Sequence, residues 1–453
     1  MEPGEDEDTE TERIQVEVLL LSGQSASVAA SVNKGISSLL VAAGKQLGVH
    51  LGQTVTSDGH LLNPRSTIAE TGLKDGDAVF ATVRCSRLVS TRHIPAFALI
   101  RDDASVMVWG DGDSGGWFSK EVEEQLHDVC DIQSTMGAFA ALREDGSVVC
   151  WGDPEDGGDC SPVRDELRGV QEICSTLGAF AALVDGQVVT WGNHQDGGRC
   201  DAVQEDLVEV QEIWGGGQAF AVKNANGHVI TWGDKGRGGD CSHVEAQLRE
   251  VRSVCGSDEA FAAICDGGRV ATRTVAGRLI GIILGQVQDQ LINVKQLFAN
   301  DSAFAALLEN GEVVTWGDPD HGGCSKDVQE QLRDVCQIEA SESAFAALRS
   351  DGRVVCWGVK EIGGDCSDLN LTDVKSLCSS GQAFAALLGD GSVKTWGRPH
   401  AGGCCTAVKE SLQDVAQLCG SSGAFAALLG SGEVVTWGDP KHGGCFGESH
   451  WPG

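Results

Sequence analysis

The stretch GAFAALREDGSVVCWGDPEDGG, residues 137–158, decides the fold, because close variants of it recur through most of the chain. Ala138 to Leu142 reads as a strand with Phe139 on one face. Asp145-Gly146 follows, and Asp-Gly is a pair that tolerates the left-handed backbone of a tight hairpin. Val148 to Trp151 is then the return strand. Alternation places Val149 and Trp151 on one face. The glycine pair Gly157-Gly158 closes the segment.

Working outward, the phenylalanine column is Phe97, Phe139, Phe180, Phe220, Phe261, Phe304, Phe345, Phe384 and Phe425. The tryptophan column is Trp109, Trp151, Trp191, Trp232, Trp316, Trp357, Trp396 and Trp437. The step from Phe to Trp is 12 residues, except 11 from Phe180 to Trp191, and the unit period is 39–43 residues. A Gly-Gly pair begins six residues after each of these tryptophans. In the fifth unit Arg273 stands in the tryptophan column and the Gly-Gly is lost, so this unit is expected to be the weakest.

Between hairpins, Val122/Leu126/Val129 are spaced four then three, and the spacing recurs at Val163/Leu167/Val170 and Val328/Leu332/Val335. That is one face of a two-turn helix, with Ser161, Asp201, Ser242 and Thr406 where an N-cap is wanted. Val-x-x-Ile, as at Val170 and Ile173, then leads into the next hairpin as a short strand. Each unit therefore has about three strands and a short helix, and neighbours must stack to bury its Phe and Trp. The paired aromatic columns are expected to be the structural core of the repeats.

The first 85 residues differ. Residues 1–12 are acidic and are expected to be a disordered tail. From Ile14 the chain alternates as a strand, with a second strand over Ser25 to Val32. Ile36, Leu39, Leu40, Ala43 and Leu47 take helical spacing, and Gly48 marks the stop. Short segments follow near Val55, Leu61-Leu62 and Ile68, and a last strand runs Ala78 to Val83.

This order resembles ubiquitin over residues 13–85, most closely at Gly59 to Ile68 and Gly72 to Asp77. The resemblance implies a β-grasp fold. The chain continues through Arg84-Cys85, so the domain is expected not to be a conjugated tag. The family's apolar recognition positions fall on Thr56 and Thr82, which are polar.

The x-Asp-Gly-x-Val-x-x-Trp-Gly-x-x-x-x-Gly-Gly pattern resembles the regulator of chromosome condensation repeat. It covers residues 87–445, with a tail over 446–453. The resemblance implies a β-propeller. The chain departs from the family: it has nine units, not seven, no His before the central strand and no inserted wedge. The family's nucleotide exchange on a small GTPase is therefore the least favoured function. The fold class expected is mainly β: an N-terminal ubiquitin-like domain, then a propeller-like array of nine units.

The chain's 453 residues carry 66 acidic and 33 basic side chains, a formal charge of -33. Such a surface repels nucleic acid and anionic lipid and favours basic partners. No apolar run approaches membrane length, and the N-terminus has no signal-peptide pattern. No partner is expected among nucleic acids or membranes, and the cytoplasm is the expected location, with the nucleus left open. The 18 cysteines include no C-x-x-C pair and are expected to be small reduced hydrophobes. Neither a phosphate-binding G-x-x-x-x-G-K-[ST] nor an H-E-x-x-H occurs. The Asp-rich loops, such as Asp153 to Asp156, read as turn chemistry and not as calcium ligands. His321, His400 and His442 read as surface residues. No catalytic, cofactor or metal site is expected. The function expected is a non-enzymatic protein-interaction scaffold. The alternatives are a ubiquitin-pathway factor that recruits substrates to a ligase and, lower, the exchange factor.

Overall fold

The computed structural model describes residues 13–63, 66–272 and 287–446. The chain divides into two compact units, Met1–Ser86 with Arg101–Ser105, and Arg87–Ile100 with Val106–Gly453.

The first unit is a five-stranded sheet with one long helix. Its strands are β1 (Arg13–Leu20), β2 (Ser25–Ser31), β3 (Leu51–Thr56), β4 (Leu61–Leu62) and β5 (Ala78–Val83), in the order β2-β1-β5-β3-β4. β1 pairs antiparallel with β2 and parallel with β5. Strict alternation buries Val16 and Val18 against α1 (Ile36–Leu47), whose Ile36, Leu39, Leu40 and Ala43 face the sheet. Gly48 ends α1 with φ 68°, a left-handed cap open to glycine at little cost. The short helix α2 (Ile68–Thr71) starts at a capping box: the Thr67 hydroxyl accepts from the Glu70 amide, and the Glu70 carboxylate accepts from the Thr67 amide.

The second unit contains nine three-stranded antiparallel sheets, one per repeat, forming a propeller-like ring of blades. In blade two the inner strand is Val129–Ser134, the middle strand Ala138–Arg143 and the outer strand Val148–Gly152. Inner strands of successive blades lie side by side, and each middle strand is almost wholly buried. Packing between blades supplies the core: Phe139 and Trp151 of blade two cluster with Ala96 and Ala98 of blade one. Small alanines on each middle strand let the next blade's rings close against it.

The array closes on itself. Gln337 of blade seven binds the Leu377 backbone of blade eight, accepting from its N–H and donating to its C=O. Gln417 of blade nine makes the same pair with Leu88 of blade one, at 2.9 and 3.0 Å. The last Gly-Gly loop covers the first blade's rings as well: the Trp109 indole donates to the Gly443 carbonyl.

Two local expectations are corrected. The predicted two-turn helix is a single turn, usually 3-10, such as Gln329–Gln331 or Ser161–Val163. Leu126, Leu167 and Leu332 are buried below it, but Val129, Val170 and Val335 lie beyond it. The residue before each of those valines takes a left-handed backbone: Asp128, Gly169 and Asp334 have φ of 55°, 71° and 55°. That reversal stops the helix. Ser161 and Thr406 are first helical residues, preceded by Cys160 and Cys405, and do not cap. The 11-residue step of the third unit also has a cause. Asp185-Gly186 is a two-residue turn with both φ positive, whereas blade two uses a longer turn with only Gly146 positive.

Residues 273–286, where the fifth unit departs from the repeat, lie outside the described residues, as do the acidic tail 1–12 and residues 447–453. The cysteines are not all free. Cys356 and Cys366, ten residues apart, are disulfide-bonded, joining an outer strand to the loop beyond it. The same two positions hold Cys150 and Cys160 in blade two, both free thiols, and Thr315 and Ser325 in blade six, whose hydroxyls lie 2.9 Å apart.

Candidate functional site

The aromatic columns lie between blades. Phe97, Phe139, Phe180, Phe220, Phe304, Phe345, Phe384 and Phe425 are fully buried, and Phe261 is 7% exposed. Trp109, Trp151, Trp191, Trp232, Trp316, Trp357, Trp396 and Trp437 are buried too. Each tryptophan pairs across the hairpin with its own phenylalanine, ring centroids 5.2–5.5 Å apart, the planes nearly parallel. Stacked rings of this kind gain beyond their buried area.

The Gly-Gly loops connect the columns. Gly157 has φ 96°, and a Cβ there would lie 2.6 Å from the Phe180 ring of the next blade. Its carbonyl accepts from the Trp191 indole at 3.0 Å. Trp151, Trp232, Trp357, Trp396 and Trp437 each find the carbonyl of the preceding loop's first glycine in the same way. Trp316 is the exception. The loop before it belongs to the degenerate fifth unit, and its buried indole N–H has no partner among the described residues.

A second column escaped the sequence reading. Thr135, Thr176, Ser257, Asn300, Ser341, Ser380 and Ser421 stand three residues before the alanine that precedes the column phenylalanine in seven of the nine units; His93 and Gly216 hold the place in the other two. Each of the seven is buried. The Thr135 hydroxyl accepts from the Ala138 amide and donates to the Asp156 carbonyl, tying the inner turn to the Gly-Gly loop. Thr176, Ser380 and Ser421 repeat the donation to Asp196, Ala401 and His442 carbonyls, and the Asn300 amide reaches the His321 carbonyl. The signal was a small hydrogen-bonding residue at fixed distance from Ala-Phe-Ala, disguised by its changes among Thr, Ser and Asn.

These ties bring the inner turns and the Gly-Gly loops to one face of the ring. Glu155, Asp320 and Glu361 are exposed there. The Asp153, Asp318 and Asp439 side chains accept from the amides of Glu155, Asp320 and Lys441, which is turn chemistry. Half-buried Asp156 is pushed up to about 6 by burial, with the charges of Asp153, Asp196 and Glu155 adding to it. Among the described residues no group of three or more His, Cys, Asp or Glu side chains gathers as metal ligands. His321 stands 3.3 Å from Asp318 in its loop.

Gly112-Asp113-Ser114-Gly115-Gly116, a match that the motif reading overlooked, fits the G-x-S-x-G of hydrolase nucleophiles, although that motif belongs at a strand-to-helix elbow. Here it is the first Gly-Gly loop. The Asp111 carboxylate accepts from the Ser114 amide, Gly115 lies against Phe139, and the Gly115 carbonyl takes the Trp151 indole N–H. Among the described residues no histidine is hydrogen-bonded to Ser114, so the motif serves the blade interface.

At the centre of the same face, blade one departs from the other eight. Its inner turn carries the longer insertion Thr91-Arg92-His93-Ile94. Arg92 reaches across the ring: its guanidinium donates to the Ser341 carbonyl at 2.8 Å and lies 3.3 Å from Asp301. Beside it is a cavity of about 170 Å³, lined by Thr91, Arg92, His93 and the inner turns of blades two to five. Burial, then the Arg92 charge, lowers His93 to about 3, so its imidazole is neutral. Burial pushes Asp301 up to about 7 against the pull of Arg92.

The first unit has a feature the sequence reading did not find. Phe80 pairs with Val55, and Val55 with Leu61, making an apolar row across β5, β3 and β4. Phe80 and Leu61 are exposed. Thr82, two residues beyond Phe80 on the same strand face, is a polar neighbour of the row, whereas Thr56 pairs with buried Val79 on the opposite face.

Together these features define, among the described residues, a closed, nine-bladed, propeller-like ring with a buried aromatic core. Solved structures to which the chain is similar include Prp20p of Saccharomyces cerevisiae, at 17% identity over 52% of this chain and 74% of that one, TM-score 0.34. Another is the ectodomain of the Physcomitrella patens receptor kinase CR4, at 16% identity over 60% of this chain and 74% of that one, TM-score 0.39. A designed protein based on ubiquitin matches 16% of this chain and 89% of its own length at 21% identity, TM-score 0.15. No family profile and no curated protein matches the chain.

Proposed function

We propose that the chain is a non-enzymatic protein-interaction scaffold, whose ring presents the Gly-Gly-loop face to a basic protein partner. The observation that carries this reading is the convergence of exposed Glu155, Asp320 and Glu361 on one rigid face of a chain with charge -33. Exposed Lys235, Lys360, Arg398 and Lys441 lie among these acids, and a surface of net negative charge still steers basic partners, an effect that weakens with salt. The site's groups are committed to structure: hydroxyls tie turns, carboxylates cap loops, and Ser114 lacks a base among the described residues.

In this proposal the N-terminal unit is a ubiquitin-like module held within the chain. The exposed Phe80–Val55–Leu61 row favours a second reading, in which this module docks a component of the ubiquitin pathway while the ring holds a substrate.

The test compares proteins captured from cell extract by the full natural chain and by a Glu155→Gln, Asp320→Asn, Glu361→Gln variant. Partners should be held at low salt by the natural chain and lost from the variant. The same set on both, or none on either, would sink the ring-face reading. Ligase or proteasome subunits retained by both but lost on Phe80→Ser would favour the second reading.

A further inference from the structure

The cavity at the ring's centre has polar groups with no partner among the described residues. Ser134 is 5% exposed, lines the cavity, and its hydroxyl makes no hydrogen bond there. A buried hydroxyl left unpaired costs free energy, so it is expected only where something else supplies the partner. Asp258, also in the lining, forms no hydrogen bond or ion pair among the described residues. Its carboxylate feels Arg92 and Arg237 only at longer range, and burial raises its proton affinity.

Glycine backbone makes up part of the lining. Blade four replaces the usual Ser or Thr of the inner turn with Gly215-Gly216-Gly217, and blade five contributes Gly256. A Cβ on Gly217 would fall 2.4 Å from the Asp258 Cα, and one on Gly256 would fall 2.2 Å from the Gly216 Cα. The glycines thus let three blades close on the cavity without filling it.

The charge balance favours a cation. Among the described lining residues Arg92 is the one Lys or Arg, and it is already committed to Asp301 and the Ser341 carbonyl; Arg237, outside the lining, also acts on Asp258. Asp258, Asp301 and Glu342 all act on it or on one another. His93 adds no charge. Access is open, because Thr91 at the edge is exposed, and exposed Met136 lies on the adjoining turn, where an aliphatic stem could rest.

We infer that this cavity accepts the alkylammonium group of a lysine side chain, with Asp258 as counter-ion and the Ser134 hydroxyl as acceptor. A slender stem bearing a compact charge suits so small a space, whereas a planar guanidinium seeks a two-oxygen fork. The inference deepens the basic-partner reading and rests on it for the source of the lysine.

The test uses the full chain in calorimetric titrations with a short end-blocked peptide carrying one lysine, its acetyl-lysine and arginine counterparts, and n-butylamine. The lysine peptide and n-butylamine should bind and compete, and the acetylated peptide should not bind. Asp258→Asn should weaken both by roughly tenfold or more, since it removes a desolvated charge partner. That variant relieves a buried charge, so its melting temperature should not fall. Ser134→Val, which removes the acceptor hydroxyl and narrows the cavity, should weaken n-butylamine binding. If n-butylamine fails to bind the folded chain, or Asp258→Asn leaves binding unchanged, the cavity is not a lysine site. If the lysine peptide then responds only to the Glu155/Asp320/Glu361 variant, the ring-face reading survives alone. Tighter binding of the arginine peptide would also overturn the assignment.

Discussion

Asp301 is a residue whose chemistry is set by its surroundings. Burial raises its proton affinity to about 7, although Arg92 stands 3.3 Å away. An acid raised in the folded state holds its proton more tightly there than in the unfolded chain. Its contribution to stability therefore falls as pH rises from the ordinary carboxylate range through about 7. His93, lowered to about 3, runs the other way: stability is lost as pH falls from its ordinary range towards that value. Asp301→Asn removes the first effect and leaves the second. Its stability relative to the natural chain should increase between about pH 4 and about pH 7 in denaturant titrations and level off above that. A pH-independent difference would mean that the Asp301 carboxyl is solvated like a surface acid. None of this was legible in the sequence. Asp301 sits in an ordinary turn, and only closure of the ring brings Arg92, more than two hundred residues away, to its side.

The blade was the most legible element. Ala-Phe-Ala, Asp-Gly and Val-x-Trp each specify local geometry, so the hairpin and its aromatic pair followed from periodicity and turn chemistry. The helix was misjudged in length because the chain's reversal at Asp128, Asp334 or Asp414 leaves the four-then-three apolar spacing intact. An Asp, Asn or Gly just before the strand's valine was the available sign of a left-handed residue. The Gly-Gly loop was recognised, but not its partner, because contact with the next blade's tryptophan cannot be read within one unit. That contact makes a distinction between blades. Trp357→Phe removes a paired indole and leaves the Gly322 carbonyl without its donor, at a cost of about 1–3 kcal/mol. Trp316→Phe removes a buried N–H that has no partner among the described residues, and should cost less. Equal losses of stability in the two variants, followed by denaturant unfolding, would show that the indole bond contributes nothing.

At the scale of the whole ring, the sequence established nine units but not whether they form an open array or a closed one. The deciding contacts join residues over three hundred positions apart, such as Leu88 with Gln417, and resemble every other blade contact too closely to announce themselves. An open array has two terminal repeats with one neighbour each, and these fray first. A closed ring gives blades one and nine the same two neighbours as the rest. Blade five, with only the short outer strand Val270–Thr272 described and Phe261 slightly exposed, is then a weaker position than either chain end. Hydrogen exchange of the native full chain measures this directly. The middle strands Ala96–Ile100 and Ala424–Leu429 should be as protected as Ala344–Arg349 of blade seven, and Phe261–Ile264 less protected than all three. Fast exchange confined to the first and last of these strands, with blade five protected, would contradict closure of the ring.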